Sequence, residues 1–283
     1  MPSLSLKASV NYPFIGGGSF TPNYPPGLSY TTGLLGWYDS SQPSSIVKDG
    51  SNNVSQWNNL FNGATQGATI LPAFTIPSGN TAPVYVTGQS YLYGTSSGSK
   101  TGVSFDGISA LLSTPSISSL GLNDLAIFAS IKPSSSITGP QIGLDDKQIA
   151  NYLSVGIQSG LDPITNSTLS IFGTNVTNSN STQGNNYAFG FQGVKSGATS
   201  EIFYLYQYNT GSAIFQTWNS SGTGAVAADL PWNQISLGGD IASSIFQQSI
   251  IGEVLIFQMT AAQQGGSYAN VKTIINYLQG RWN

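Results

Sequence analysis

The chain has 283 residues, of which 39% are hydrophobic and 11% aromatic, enough to fill the core of one large β domain. Only 7% are charged, the net charge is −3, and there is neither cysteine nor histidine. Disulfides, thiolate or imidazole metal sites and histidine-based catalytic triads are thereby excluded, and the few scattered basic residues leave no footprint for nucleic acid or an anionic membrane.

Low charge without low hydrophobicity also argues against disorder. The surface must consist of Ser, Thr, Asn, Gln and Gly, the composition of a turn-rich β protein. Residues 1–33 come first and carry Pro13, Pro22, Pro25, Pro26 and the Gly16–Gly18 run, which bar regular helix and central strands. The same segment carries Tyr12, Phe14, Phe20, Tyr24 and Tyr30, too many aromatics for a bare linker. It is expected to be an extended arm that packs on its own domain or on a neighbouring subunit. No apolar run approaches the ~20 residues of a membrane-spanning helix, and no signal-peptide core precedes the arm.

From residue 34 onward, short alternating runs are separated by Gly, Asn, Ser and Pro clusters, the pattern of a sandwich or barrel. Predicted strands include LAIFASIK (Leu125 to Lys132), YAFGFQ from Tyr187, EIFYLYQY from Glu201, ISLGG from Ile235 and IIGEVLIFQ from Ile250. AIFQTW from Ala213 is expected to pair back on EIFYLYQY through the turn Asn209-Thr210-Gly211. The polar stretch Gly173 to Gly184 reads as a flexible loop. Near the end, Thr260 and Gln263 have capping-box spacing, and Ser267 is placed to cap a second helix. Val271, Ile274, Ile275 and Leu278 then share one helical face, with Gly280 as a stop.

GLLGWYDSSQ, KDGSNNVSQWNN, ATQ at Ala64, APVYV at Ala82 and GVSFDG at Gly102 follow one order, and the chain closes on ISLGG, IIGEVLIFQMTAAQ and IINYLQGRW. Together these fragments resemble the laminin-G-like branch of the concanavalin A-like lectin/glucanase superfamily, common in bacterial surface proteins and phage virion proteins. The resemblance covers residues 34–283. It implies an all-β fold, a concanavalin A-like jelly-roll sandwich of two antiparallel sheets, with the extended N-terminal arm and a short C-terminal helix added. Such domains often recognise glycans or proteins.

Trp37, Asp39 and Trp57 read as core anchors, and Asp106 as a turn residue bonding backbone amides. Glycosidases of the resembling superfamily use a compact Glu-x-Asp-x-x-Glu motif on one strand, whereas Glu253 stands alone in GEVLIFQ. It is read as structural, accepting hydrogen bonds from backbone amides or a hydroxyl, and no catalytic residue is assigned. Asp145-Asp146 and the Asp49 turn read as solvated acids, so no metal and no cofactor is expected. The ligand-binding candidates are Tyr204, Tyr206 and Tyr208, in line on one strand face, with Trp218 and Trp232. They suit glycan stacking, contact with the arm or a subunit, or an ordinary core. The reading is a non-enzymatic virion structural protein: a decoration, fibre or minor capsid component held to other virion subunits by its arm. Glycan contact and homo-oligomerisation go with it. The alternative is a carbohydrate-binding lectin module of a cellular surface protein, with a glycoside hydrolase as the third reading.

Overall fold

The run LAIFASI, Leu125 to Ile131, is apolar on both alternating faces, so a strand made from it has to be covered on both sides. The molecule meets this demand with three layers. A computed structural model describes residues 23–63, 69–91, 97–117, 120, 124–133, 234–240, 245–246 and 248–282, together with strands 142–146, 151–158, 166–171, 174–178, 188–195 and 201–207.

The strands in chain order begin with β1 (Leu34–Asp39), β2 (Ile46–Lys48), β3 (Val54–Trp57), β4 (Phe74–Thr75), β5 (Val84–Gln89) and β6 (Lys100–Asp106). Next come β7 (Leu112–Ser113), β8 (Leu125–Pro133), β9 (Ile142–Asp146), β10 (Asn151–Gln158), β11 (Asn166–Ile171) and β12 (Thr174–Asn178). The last are β13 (Ala188–Lys195), β14 (Glu201–Gln207), β15 (Gln234–Leu237), β16 (Gly239–Asp240), β17 (Ile245–Phe246) and β18 (Gln248–Gln258), before helix α1 (Ala269–Trp282).

One sheet runs β14-β13-β8-β18-β6-β5, with β1 also on β18; the other runs β12-β11-β10-β9-β15-β7-β4-β3-β2, with β16 and β17 off its path. Among the described residues the pairings between named strands are antiparallel except at Gly239 and Ile142, with one isolated parallel bridge between Thr81 and Ala110, so the expected antiparallel sandwich is what forms. Leu125, Ile127, Ala129 and Ile131 of β8 face the second sheet and meet Trp57, Phe74, Leu112 and Ile235. Ala126 and Phe128 face the other way, into a second core closed by Val271, Ile274, Ile275 and Leu278 of α1. The helix packs on β8 and β13. Both cores are apolar and tightly covered, and burying one such side chain contributes about 1.5–3 kcal/mol.

Several local expectations hold. Thr260 and Gln263 form a reciprocal capping box. The Trp57 indole is fully buried and donates to Ser45 Oγ at 3.1 Å. Asp106 Oδ1 accepts from the amides of Ile108, Ser109 and Ala110 at 2.8–2.9 Å. Partial burial works against the Asp106 carboxylate, but those three amides prevail and hold its pKa below the ordinary value. Its contribution is therefore complete above the unfolded pKa and is lost as pH falls through the lowered one. Asp106→Ala is expected to lower stability by about 1–2 kcal/mol at neutral pH, read as a drop in denaturation midpoint, with the difference shrinking in acid.

Other expectations need revision. The polar stretch from Gly173 contains β12, paired with β11 from Ser167↔Asn178 to Ile171↔Thr174. Thr and Val at alternate positions suit a sheet, and pairing with β11 overrides the weak local signal. Ser267 takes φ 52° inside a short 3-10 turn and caps nothing, so α1 begins at Ala269. The helix also runs past Gly280 to Trp282. Residues 1–22 of the expected arm lie outside the described residues. Its end packs on its own domain: Asn23 Nδ2 donates to the Leu60 carbonyl at 3.0 Å, and Tyr24 and Tyr30 lie 5.7 and 6.1 Å from the rings of Phe61 and Phe257.

Candidate functional site

Strand alternation places Glu253, Leu255 and Phe257 of β18 on the face beneath α1, and Trp37 and Asp39 of β1 on the same face. Asp39 and Glu253 are direct cross-strand partners, and side chains so placed start only about 4.5–5.5 Å apart at Cβ. Both are completely buried. Glu253 therefore does not stand alone, contrary to expectation: a second carboxylate 214 positions away in the chain is its neighbour.

The rest of the cluster comes from the helix and β1. Glu253 Oε1 accepts from Trp37 Nε1 and from the Tyr277 hydroxyl, both at 2.9 Å, and Oε2 accepts from Trp282 Nε1 at 2.6 Å. These indole and phenol donors replace the backbone amides anticipated for Glu253; only the hydroxyl was foreseen. Arg281, the sole arginine of the chain, hydrogen-bonds Asp39 Oδ2 through Nη2. Its Nε lies 3.2 Å from Glu253 Oε2, within ion-pair range but out of line for a hydrogen bond. Asp39 Oδ1 takes the Ser41 amide and hydroxyl at 2.8 and 2.7 Å. The seat is fitted closely: a Cβ at Gly252 would stand 2.7 Å from the Trp282 ring and 2.9 Å from Tyr91.

Burial, then the charge of Asp39, pushes the Glu253 pKa up to about 7, against the pull of Arg281 and of the Trp282 and Tyr277 hydrogen bonds. Burial disfavours the Arg281 cation, yet Glu253 and Asp39 outweigh it and raise its pKa. Burial likewise raises Tyr277 and Tyr91, with the carboxylates adding to it. The site has the groups of an acid–base pair but no opening to solvent at either carboxylate. As it stands it clasps the end of α1 to β1 and β18.

A second feature is open. Asp49, Asn53, Ser55, Ile76, Thr81 and Ala82 line a surface groove of about 540 Å³. The β2–β3 turn forms one wall and is pinned to the start of β5 by Val54 N to the Pro83 carbonyl and Tyr85 N to the Asn52 carbonyl, both 2.8 Å. The other wall is tied to the turn after β6, where Thr81 N donates to the Ser109 carbonyl at 3.0 Å and the two hydroxyl oxygens lie 2.9 Å apart. Within the turn, Asp49 accepts from Asn53 Nδ2 and from the amides of Ser51 and Asn53, all at 2.9 Å. The side-chain bond from Asn53 leads the effects that lower the Asp49 pKa. The groove thus offers preset acceptors and hydroxyls above the half-buried Ile76 and Ala82. Among the described residues, no group of three or more acidic side chains is placed to hold a metal ion.

The predicted ligand residues fall elsewhere. Tyr204 and Tyr206 have their backbone in β14, opposite Gln192 and Gly190 at the edge of the first sheet, and their side chains are outside the description. Tyr208, Trp218, Trp232 and the hairpin partner AIFQTW also lie outside the described residues. Sequence reasoning missed the groove, although the Asp-Gly-Ser-Asn turn was visible. It also missed the pairing of Asp39 with Glu253, for which the chain carries no local signal.

No protein-family model and no curated protein matches the chain. Solved structures do. An arabinofuranosidase complexed with arabinofuranosyl-α-1,2-xylobiose superposes with TM-score 0.50 at 9% identity, over 80% of this chain and 51% of that one. Trypanosoma rangeli sialidase in complex with the inhibitor DANA gives TM-score 0.46 at 10% identity, over 91% and 35%. Domain 4 of AbnA, a GH43 extracellular arabinanase from Geobacillus stearothermophilus in complex with arabinotriose, gives 0.39 at 13%, over 86% and 97%. The chain thus spans about half of the arabinofuranosidase and a third of the sialidase. At such identities the likeness is one of fold. It is enough to correct the expectation of a non-enzyme, because this sandwich also occurs within a solved glycosidase and Glu253 has a carboxylate neighbour after all.

Proposed function

We propose that the chain is a lectin-like attachment module of the laminin-G-like kind, carried on a virion, whose open groove takes a neutral glycan. The observation that carries this reading is the groove itself: about 540 Å³, walled by two pinned turns and furnished with hydroxyl, amide and carboxylate groups over a small apolar floor. Sites of this size with a few fixed polar groups suit small ligands, and hydroxyl-rich, uncharged ones suit a wall whose only charge is Asp49. A chain with only 7% charged residues fits crowded display beside other subunits better than long-range electrostatic capture. The N-terminal arm joins the module to neighbouring virion subunits, and copies assembled together convert weak single-site binding into avidity.

Ser55 is exposed on β3 and points away from both cores, so a tryptophan there fills the groove without disturbing the fold. On an array of neutral glycans, Ser55→Trp is expected to abolish the binding shown by the unmodified chain while its near-ultraviolet circular dichroism stays the same. Equal glycan binding by the variant would remove the groove from the reading. For the arm, loss of the protein from purified particles on deletion of residues 1–22 is the expected result, and undiminished incorporation would refute that part.

A further inference from the structure

We propose that the end of α1 is a clasp released as pH rises: beside Asp39, Glu253 holds residues 277–282 down while it keeps its proton, and that segment lifts once Glu253 is ionised. The proposal is independent of glycan binding.

Two completely buried carboxyl groups face each other in register, and a single guanidinium serves both. With both ionised, the sealed site holds one negative charge in excess, which the low-dielectric surroundings do not tolerate cheaply. Among the described residues, Arg281 is the cation within ion-pair range of both carboxylates. Tyr277 and Tyr91 are phenols that burial keeps neutral. Lys100 donates its Nζ to the Arg281 carbonyl at 2.6 Å, holding the helix backbone and not a carboxylate. From β8, Ser130 stands opposite Glu253, and Lys132 follows on the same face one step further along.

The donors around Glu253 also show where the proton resides. The indoles of Trp37 and Trp282 can only donate, whereas the Tyr277 hydroxyl can donate or accept. A protonated Glu253 therefore gives its O–H to Tyr277 and keeps both indole bonds. When base removes that proton to solvent, the hydroxyl turns to donate and the excess charge appears. The elevated Glu253 pKa agrees with this account. Every group that feels the change sits on the helix side of the sheet. The core between the sheets shares none of them, so release stays local.

Hydrogen exchange of the full chain between pH 5 and pH 9, corrected for the pH dependence of unprotected amides, tests the clasp. Amides of 277–282 are expected to show an opening constant that rises by up to about tenfold per pH unit below about 7, where the closed state holds the Glu253 proton and the open state does not, and that levels off above it, while β8 and β18 keep their protection. In Asp39→Asn, one carboxylate faces one guanidinium and the same amides should vary by less than about twofold over that range. Glu253→Gln serves as the second variant if the first does not fold, with the same flat profile. A flat profile in the unmodified chain, loss of protection by 277–282 and the strands together, or a variant that titrates like the parent would each overturn the clasp.

Discussion

Replacing Arg281 by methionine is expected to lower the unfolding free energy by about 3 kcal/mol at neutral pH. Methionine keeps the apolar stem against its neighbours, so the loss isolates the charge. Removing one partner of a buried ion pair costs about 3–5 kcal/mol, because the other charge stays buried without compensation. The low end applies here, since the Arg281 side chain retains 22% exposure while those of Asp39 and Glu253 have none.

The effect must depend on pH, and its sign follows from Glu253. Its folded pKa, about 7, lies above the ordinary 4.5. In that window the folded state holds more protons than the unfolded one, so stability from this group is complete below 4.5 and is lost as pH rises through 7. The loss is about 3 kcal/mol for the unmodified chain. Denaturant titrations at pH 5 and pH 8 should show the Arg281→Met deficit growing on the alkaline side. An equal deficit at both values would mean that the arginine acts through packing alone.

Trp282→Ala is expected to cost about 3–5 kcal/mol and to loosen α1 before the sandwich melts. The indole is 2% exposed, donates to Glu253 Oε2 at 2.6 Å and meets Tyr91 edge-on at 5.0 Å between centroids. Its removal leaves a void against Gly252 and takes a donor from a buried carboxylate, two losses that compound. The void is testable directly. Gly252→Ala in the parent drives a methyl into the Trp282 and Tyr91 rings, whereas in Trp282→Ala the same methyl occupies vacated space. A double-mutant cycle should therefore show the two changes partly cancelling. Strict additivity would show that Gly252 and Trp282 do not share the seat.

The line between what composition and pattern reveal and what only the folded chain reveals runs through particular residues. LAIFASIK and IIGEVLIFQ could be read as strands because their length and β-branched content leave little else for them to be, whereas the cover on both faces of β8 came to light only with α1 in place. The capping box at Thr260 and the amide-binding turn at Asp106 could also be read, because each involves atoms no more than four residues apart. The β12 strand could not. Thr174–Asn178 has a loop's composition, and it is a strand because β11 lies beside it.

The site needed the tertiary structure most. Whether Glu253 was lone or paired depended on β1 crossing β18 with Asp39 in register, an event between positions more than 200 residues apart. The stop at Gly280 failed for the same reason. Local propensity ends a helix at glycine, but Arg281 and Trp282 have partners waiting on two strands, and those contacts outweigh the roughly 1 kcal/mol that a glycine costs a helix. Alternation and capping act over a few residues and are written in the chain; charge pairing and groove walls join distant segments, so their energies exist only once the sheets have closed.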